Sequence, residues 1–242
     1  MSAASCANCG TRRGDGEFCS GCGQRNRHGM LRARELTSDV FEQVMEWRLP
    51  WPRTMIDLCW RPGAVALDYV EGRRARYVNP VKYCFVIVAV AMAASALLQS
   101  QRSGDSAGDA YIVDLPGNVL ALLAVPVQVA VLRLAFWRSA RTATEIAVLG
   151  LYVTAQTILI FQLVFSPTLG RLLDSLGGEL LMTVTGSTLV GLVLAIGALA
   201  VREFFGARLP FAVGAAIASY LVSAATVFAL HTLLAYGQGP MP

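Results

Sequence analysis

The chain has 242 residues, of which 55% are hydrophobic and only 15% are charged, and its formal net charge is +4. Soluble domains average about 25% charged residues, and a water-soluble fold of this size could not bury so much apolar side-chain surface. The composition therefore excludes an ordinary soluble protein and predicts an all-α polytopic membrane protein.

The N-terminal segment is polar and carries two short cysteine motifs. The pattern CxxCG begins at Cys6 and again at Cys19. Four thiolates at this spacing suit the closed tetrahedral site that Zn²⁺ prefers, and the glycine after each pair suits a turn with positive φ. A head this short has no apolar core, so metal binding would supply most of its folding free energy. We predict a zinc ribbon over residues 1–28 that holds one structural Zn²⁺ through Cys6, Cys9, Cys19 and Cys22.

Other uses of these four cysteines stay open on spacing alone. An iron–sulfur or rubredoxin-like iron site takes the same ligands, and two disulfides would require an oxidising compartment. Catalytic zinc is disfavoured because four thiolates leave no open position for water. Nucleic acid is disfavoured as a partner because the arginine-bearing ribbon offers Phe18 alone as an aromatic platform.

Residues 29–79 are predicted to form juxtamembrane helices that are too short to span a bilayer. An amphipathic pattern begins at Leu36 and is broken at Pro50 and again at Pro62. Tryptophan on such elements favours the water–lipid interface, and a small helical subdomain packed on itself explains the pattern equally well. Interfacial anchoring is also expected of Tyr69, Tyr77 and Tyr83. The residues expected to face the lipid interface and an anionic leaflet are Trp47, Trp51, Trp60, Arg73, Arg74, Arg76 and Lys82.

This part of the chain carries a family resemblance. After a CxxCG pair and a CxxCGQ pair that ends at Gln24, the pattern T-x3-L-x2-RPG-x5-Y-x2-GRR-x2-Y-x2-P runs from Thr54 to Pro80. It resembles the bacterial zinc-ribbon membrane family known as domain of unknown function 3667. The resemblance implies a cytosolic zinc ribbon on a multispan inner-membrane protein and brings no established activity. Its positions are Thr54, Leu58, Arg61, Pro62, Gly63, Tyr69, Gly72, Arg73, Arg74, Tyr77 and Pro80.

Residues 80–242 contain five apolar blocks that are separated by short charged joints. Each block is long enough to cross a hydrocarbon core of about 30 Å as a helix. We therefore expect a five-helix transmembrane bundle, with a charged loop at about 166–179 before the fourth span. The predicted spans are 80–98, 118–137, 145–165, 180–201 and 210–236.

Lysine and arginine are distributed unevenly between the joints. If the head is inside, 18 of the 20 cations lie on the inner side, and only Arg102 and Arg171 lie outside. The positive-inside rule then predicts a cytosolic N-terminus, a C-terminus outside and an anionic cytosolic leaflet as partner. The same orientation keeps the cysteines where thiols stay reduced.

The spans themselves offer little chemistry. Gln128, Gln156 and Gln162 could line a polar path, although interhelical hydrogen bonds explain them as well, and no acidic or lysine residue lies at mid-span. Small residues recur every fourth position in the last two spans, which are expected to pack on each other or across a homo-oligomer contact. These residues are Ser187, Gly191, Ala195, Ala215, Ser219 and Ser223.

We therefore expect a non-enzymatic integral inner-membrane protein. Its ribbon would bind a cytosolic protein partner. Its bundle would anchor the ribbon to the membrane or transmit the binding, as in a scaffold or regulatory protein. A small channel or transporter is the alternative. A lipid-modifying enzyme comes third, because the sequence has no paired carboxylates or catalytic metal triad, and we assign no catalytic residues.

Overall fold

The computed structural model describes residues 5–12, 16, 18–24, 50–102, 111–164 and 167–237. The predicted helix that begins at Leu36, and Trp47 within it, lie outside these residues. No strand is present in the described part of the chain, where the elements are α-helices and one 3-10 turn. They are α1 (Trp51–Trp60), α2 (Pro62–Val70), the 3-10 turn (Arg74–Arg76), α3 (Pro80–Arg102), α4 (Tyr111–Ala135), α5 (Ala143–Val164), α6 (Pro167–Phe205) and α7 (Leu209–Gly237).

Four helical segments in the described residues are long and apolar enough to cross a membrane. They have mean hydropathies between 1.6 and 2.1. The predicted second span, 118–137, falls in α4, whose described apolar part is the shorter segment Ala124–Ala135. The all-helical fold with membrane-length helices is thus confirmed, and the number of five stays a prediction. The four segments are Arg74–Ala94, Ala143–Leu163, Thr183–Phe205 and Leu209–Leu230.

The predicted loop before the fourth span is wrong. Helix α6 begins at Pro167 and is 39 residues long, so it already includes Arg171 and Asp174. Proline suits the first position of a helix because its missing N–H would have no partner there. The charges that suggested a loop indicate contact with water, and a solvated helix satisfies that pattern as well as a loop does.

The hairpin of α1 and α2 packs on the bundle. Pro62 occupies the first turn of α2, and Arg61 forms the break between the two helices. Leu58 on α1 and Val65 on α2 are completely buried in the same cluster as residues of α5 and α6. The hairpin is therefore not a separate subdomain, because one side of each of its helices is buried against the membrane-length helices.

The hairpin and the bundle approach each other closely at Gly63. A Cβ at this position would lie 2.6 Å from Cβ of Glu203 and 2.9 Å from the backbone nitrogen of Phe204. The carboxylate of Glu203 also accepts a hydrogen bond of 3.0 Å from the backbone nitrogen of Ala64. An acidic group at a helix N-terminus satisfies a free N–H and complements the helix dipole. Gly63 and Glu203 together fix the start of α2 against the end of α6.

Aromatic residues bring two interhelical joints to this same end of the bundle. The ring of Phe136, after α4, stacks on Phe205 at the end of α6, with centroids 3.9 Å apart. Phe211 in α7 meets Phe136 edge-on at 5.2 Å, and the guanidinium of Arg141 lies over the ring of Phe204 at 5.3 Å. The α4–α5 joint, the α6–α7 joint and the start of α2 therefore share one end, which we call the head end.

The two predicted rows of small residues occupy different environments. Ala215, Ser219 and Ser223 of α7 are buried inside the bundle. Ser187, Gly191 and Ala195 of α6 are exposed, and a Cβ at Gly191 would meet nothing within 4 Å. Within one chain the α6 row therefore does not pack on the α7 row, because the apolar side of α6 that faces α7 lies elsewhere on the helix. The alternative, a contact across a homo-oligomer, stays a prediction.

The contact at Gly63 leads to a stability prediction. Gly63→Ala forces a methyl group into the backbone of α6, so we expect it to lower the free energy of unfolding by about 1–3 kcal/mol. Gly191→Ala is the matched control, since its methyl group meets open space and alanine favours a helix by about 1 kcal/mol over glycine. The measurement is the apparent Tm of each purified variant in detergent. Equal Tm values for the two variants would contradict the packing described for Gly63.

Candidate metal centre and its docking site

The sulfur atoms of the four predicted ligands form one cluster. Cys6, Cys9, Cys19 and Cys22 place their sulfurs within 4.8 Å of one another. The Sγ atoms of Cys6 and Cys22 are 3.7 Å apart, and those of Cys9 and Cys19 are 3.6 Å apart. A tetrahedral zinc site with Zn–S bonds of about 2.3 Å requires sulfur separations of about 3.8 Å. The cluster therefore fits a metal ion, whereas a disulfide needs sulfurs about 2.05 Å apart, and all four cysteines are free thiols.

Each cysteine pair is held by the same backbone turn. Gly10 donates its N–H to the carbonyl of Cys6 and Gly23 to that of Cys19, both at 2.8 Å. The two glycines have φ values of +74° and +70°, a conformation that glycine adopts without steric cost. The repeated CxxCG motif thus produces two equivalent turns, and each turn directs two sulfurs toward the same point.

The thiols differ in their electrostatic environment. The side chain of Thr11, 3.2 Å from Sγ of Cys9, favours the thiolate and lowers the pKa of Cys9 to about 6. Burial raises the pKa of the Cys22 thiol to about 11. A bound cation favours the thiolate at every ligand, so metal binding releases protons from this site. Four sulfur ligands suit Zn²⁺ and iron alike, so the cluster defines a metal site without fixing the ion.

The head is attached to the juxtamembrane segment through one side chain. The amide of Gln24 donates to the carbonyl of Gly72 at 2.7 Å and accepts from the backbone nitrogen of Ala75 at 3.2 Å. Gln24 also accepts, through its own carbonyl, the N–H of Cys19 at 2.8 Å. A Cβ at Gly72 would lie 3.4 Å from Cβ of Ala7, so both cysteine turns approach the same place. The metal cluster and this docking contact are therefore adjacent parts of one unit.

The docking site is the end of α2. Gly72 has φ +98°, and the N–H groups of Gly72 and Arg73 bond back to the carbonyls of Tyr69 and Asp68. This pair of backbone hydrogen bonds closes the C-terminus of a helix and requires glycine at the position with left-handed φ. Nε of Arg73 donates to the carboxylate of Asp68 at 3.0 Å, and its Nη2 donates to that of Glu71 at 2.7 Å. The hydrogen bond to Asp68 raises the pKa of Arg73, so the guanidinium stays charged, and the two carboxylates balance that charge within the protein.

Buried polar contacts continue from the docking site into the bundle. Asp68 accepts a hydrogen bond of 3.3 Å from the hydroxyl of Tyr77. The next residue, Val78, donates its N–H to Thr54 on α1 at 3.1 Å, and its carbonyl accepts from the hydroxyl of Tyr152 on α5. The segment between α2 and α3 is thus held by both the hairpin and a membrane-length helix.

A second set of contacts joins α1 and α3 to α5. The hydroxyl of Tyr83 donates to Oε1 of Gln156 at 2.7 Å, and Nε2 of Gln156 donates to Sγ of Cys59 at 3.0 Å. Both polar atoms of this glutamine therefore have interhelical partners, as expected for a structural amide. Gln128, the other buried glutamine, accepts from the hydroxyl of Thr154 at 3.3 Å. It lines a cavity with room for about one water molecule, bounded also by Gly197 and Tyr220.

The residues predicted for the lipid interface are found in several environments. Trp60 and Arg76 are exposed, whereas Trp51 is half-buried with its ring 5.7 Å from that of Tyr83. Arg74 lies over the ring of Tyr69 at 5.8 Å. Lys82 is only 6% exposed, which argues against contact with lipid head groups.

The predicted role of the tyrosines is wrong. Tyr69, Tyr77 and Tyr83 are buried, and the hydroxyls of Tyr77 and Tyr83 bond to protein groups instead of reaching the lipid interface. Tyrosine satisfies both environments because it pairs an apolar ring with one polar tip. The sequence carries no signal that distinguishes a tyrosine at the lipid interface from a tyrosine buried in the protein.

Two functional positions were not assigned from the sequence. Gln24 stands in the CxxCGQ motif, which marks the residue without indicating its contact. Glu203 lies beside Arg202 at the end of a span, where a charge is expected in any case. Their partners are distant in the chain, and only the folded structure brings them together.

The fold and the site define an all-helical protein with membrane-length helices and a four-cysteine cluster that fits a metal ion. Residues 52–92 match the family model described as "Protein of unknown function (DUF3667)". The resemblance predicted from the sequence is confirmed over this region, which covers the hairpin, the docking site and the first part of α3. The cysteine head lies outside the matched residues. No curated protein and no solved structure matches the chain.

The metal site can be tested by removing single ligands. Cys6→Ser or Cys22→Ser should reduce the metal content of the purified protein from about one ion per chain to below about half, because a structural site loses its folding energy with one ligand. Cys59→Ser is the control, since this thiol lies outside the cluster, and it should retain the ion. Elemental analysis gives both the amount and the identity of the metal. A full ion in Cys22→Ser would contradict the site.

Proposed function

We propose that the chain is a non-enzymatic protein of a bacterial inner membrane whose zinc-bound cytosolic head binds a protein partner and transmits that binding to the bundle. The bridge that Gln24 makes between the head and the end of α2 carries the proposal. This bridge starts beside the metal cluster and ends at the docking site. A partner that displaces the head would therefore also displace the end of α2. The proposed class is a scaffold or regulatory protein.

The chemistry of the head supports binding instead of catalysis. Four thiolate ligands close the coordination sphere of a zinc ion, so no position is left for a substrate or an activated water. The described surface of the head carries Phe18, which is 57% exposed, and Arg12. An exposed aromatic side chain and an exposed arginine on the same head suit a contact with another protein.

The arrangement of charge supports the proposed orientation. The cations of the α4–α5 and α6–α7 joints lie at the head end, together with the docking site for the ribbon. A protein with five spans and this distribution is expected to keep the head end in the cytosol and its C-terminus outside. Arg76, which is exposed beside the start of α3, is placed to meet an anionic leaflet.

The competing transport function has weaker support. Gln156 is fully used in interhelical hydrogen bonds, and the cavity at Gln128 has room for about one water molecule. In the part of the bundle that the structure describes, these two glutamines therefore do not line a continuous polar path. The contacts favour a structural role for both amides.

The orientation can be tested by adding one cysteine at a time to a background that lacks Cys59 and Cys84 and keeps the four cluster cysteines, with that background as the labelling control. Asp109→Cys and Ala140→Cys lie in consecutive joints of the predicted topology. In intact cells, a membrane-impermeant maleimide should label Asp109→Cys alone, and permeabilisation should make Ala140→Cys reactive. Labelling of Ala140→Cys in intact cells would overturn the cytosolic head.

Partner binding can be tested at Phe18. A photo-crosslinking amino acid at this position should give a discrete adduct with a cytosolic protein in intact cells, because the side chain is exposed on the head. The same probe at Phe85, which is exposed on α3, is the control and should not capture that protein. Adding Cys22→Ser should abolish the adduct, since it removes the metal that folds the head. An adduct that is unchanged by Cys22→Ser would separate binding from the metal and contradict the proposal.

A further inference from the structure

We infer that α1 lies within the head-end leaflet of the bilayer, with an exposed apolar stripe against lipid acyl chains and two arginines against lipid phosphates. The stripe consists of Pro52, Ile56 and Trp60, and Cys59 lies at its edge, where it is exposed and also contacts α5. The inference rests on the proposed insertion of the bundle in a membrane. It adds that the hairpin itself is immersed, instead of standing in the cytosol above the bundle.

The stripe is the side of α1 that packs against none of the described residues, and the other side of the helix is packed. Ile56 is 58% exposed and Trp60 is 76% exposed, and their spacing of four residues places them on one face of α1. Thr54 and Leu58 on the opposite face are completely buried against the protein. α1 therefore has a fixed orientation, and its apolar stripe points away from the bundle.

The depth of α1 follows from its hydrogen bond to α5. Sγ of Cys59 accepts from Nε2 of Gln156 at 3.0 Å. Gln156 lies about 20 Å along α5 from its first residue, Ala143, at the rise of about 1.5 Å per residue of an α-helix. One leaflet contributes about 15 Å of hydrocarbon. Side chains of an α-helix lean toward its N-terminus, so the amide of Gln156 lies closer to the head end than its own backbone does. Because Ala143–Leu163 is apolar enough to span, a residue that bonds to this amide lies within that apolar length, near the inner limit of the head-end leaflet.

The start of α3 gives a second measure of this depth. The hydroxyl of Tyr83, one turn into α3, bonds to the same amide of Gln156 at 2.7 Å. The ring of Trp51 at the start of α1 lies 5.7 Å from that of Tyr83. Both ends of α1 are therefore level with the first turn of a membrane-length helix. A helix between these two levels lies within the head-end leaflet, so the stripe faces lipid.

The charges beside the stripe select a phospholipid as its occupant. The side chains of Arg53 and Arg61 are 53% and 58% exposed, and each lies within 4 Å of the mostly buried carboxylate of Asp57. Two cations share one anion, so this surface carries net positive charge. Long arginine side chains can reach the phosphate layer while their helix lies below it. An apolar stripe with flanking arginines is the pattern of helices that lie in a membrane interface.

The test uses the fluorescence of Trp60 in bilayers. Replacing Trp47, Trp51 and Trp137 with phenylalanine leaves Trp60 as the one remaining tryptophan of four. The full chain is reconstituted in vesicles of an anionic phospholipid whose acyl chains are brominated near the head-group end. We expect at least about two-fold quenching of Trp60 relative to unbrominated vesicles, since the ring would contact the acyl chains.

Two reference variants separate this inference from membrane insertion. In the background that lacks all four native tryptophans, Phe85→Trp places a probe on the exposed side of α3, and Phe18→Trp places one on the head. Quenching of Trp60 and Phe85→Trp without quenching of Phe18→Trp supports the inference. An unquenched Trp60 with a quenched Phe85→Trp overturns it while membrane insertion stands. No quenching of Phe85→Trp overturns both.

Native Cys59 gives a second measurement that needs no substitution. It is exposed in the isolated chain, whereas Cys84 is buried and the other four thiols belong to the metal cluster. In broken membranes, where both faces meet the reagent, an impermeant maleimide should modify Cys59 at least about ten-fold more slowly than after denaturation in SDS, because acyl chains would cover it. Rapid modification of Cys59 in membranes would overturn the inference.

Discussion

The close approach of two backbones at Gly63 is the contact on which the arrangement of the remaining elements depends. Any larger residue would meet the last turn of α6, and the helix that starts there receives its N-terminal cap from Glu203 of that same turn. The position and direction of α2 are thereby set at one end. Its other end is the glycine-closed turn that receives the head. α2 is in this sense the fixed element between a metal-binding unit and a helical bundle.

Contacts between the metal cluster and α5 form an unbroken series. Gln24 bridges to the end of α2, where Arg73 and Tyr77 share the carboxylate of Asp68. From there the backbone of Val78 is held by Thr54 and Tyr152. Every member of the series is a polar group with a polar partner, and several are buried. Buried hydrogen bonds are directional and costly to leave unmade, so the series favours one defined arrangement of the head end.

The sequence predicted those features that depend on neighbours in the chain. The metal ligands were found because two CxxCG motifs bring four thiols together through local turns, and the membrane-length helices were found from continuous apolar runs. The break at Arg61 and Pro62 was located for the same reason, since proline acts on its own helix. These predictions needed no knowledge of which helix packs against which.

The long-range contacts of the docking site, the start of α2 and α3 could not be found in this way. Three hydrogen-bonded pairs join residues that are far apart in the chain. The separations are 139 positions for Ala64–Glu203, 73 for Tyr83–Gln156 and 48 for Gln24–Gly72. Hydrophobic periodicity shows which face of a helix is buried and leaves its partner open. Charge was also ambiguous, because Arg171 and Asp174 were interpreted as a loop although they lie in a helix.

The length of α6 has a consequence for the side opposite the head. Its 39 residues extend over about 58 Å at the ordinary rise of an α-helix, whereas a bilayer with its polar layers is about 40–45 Å thick. If the segment Thr183–Phe205 occupies the lipid, the turns from Pro167 onward project as a rod beyond the far surface. The same helix ends at the turn that caps α2, so one continuous helix connects the far surface of the bilayer to the hairpin.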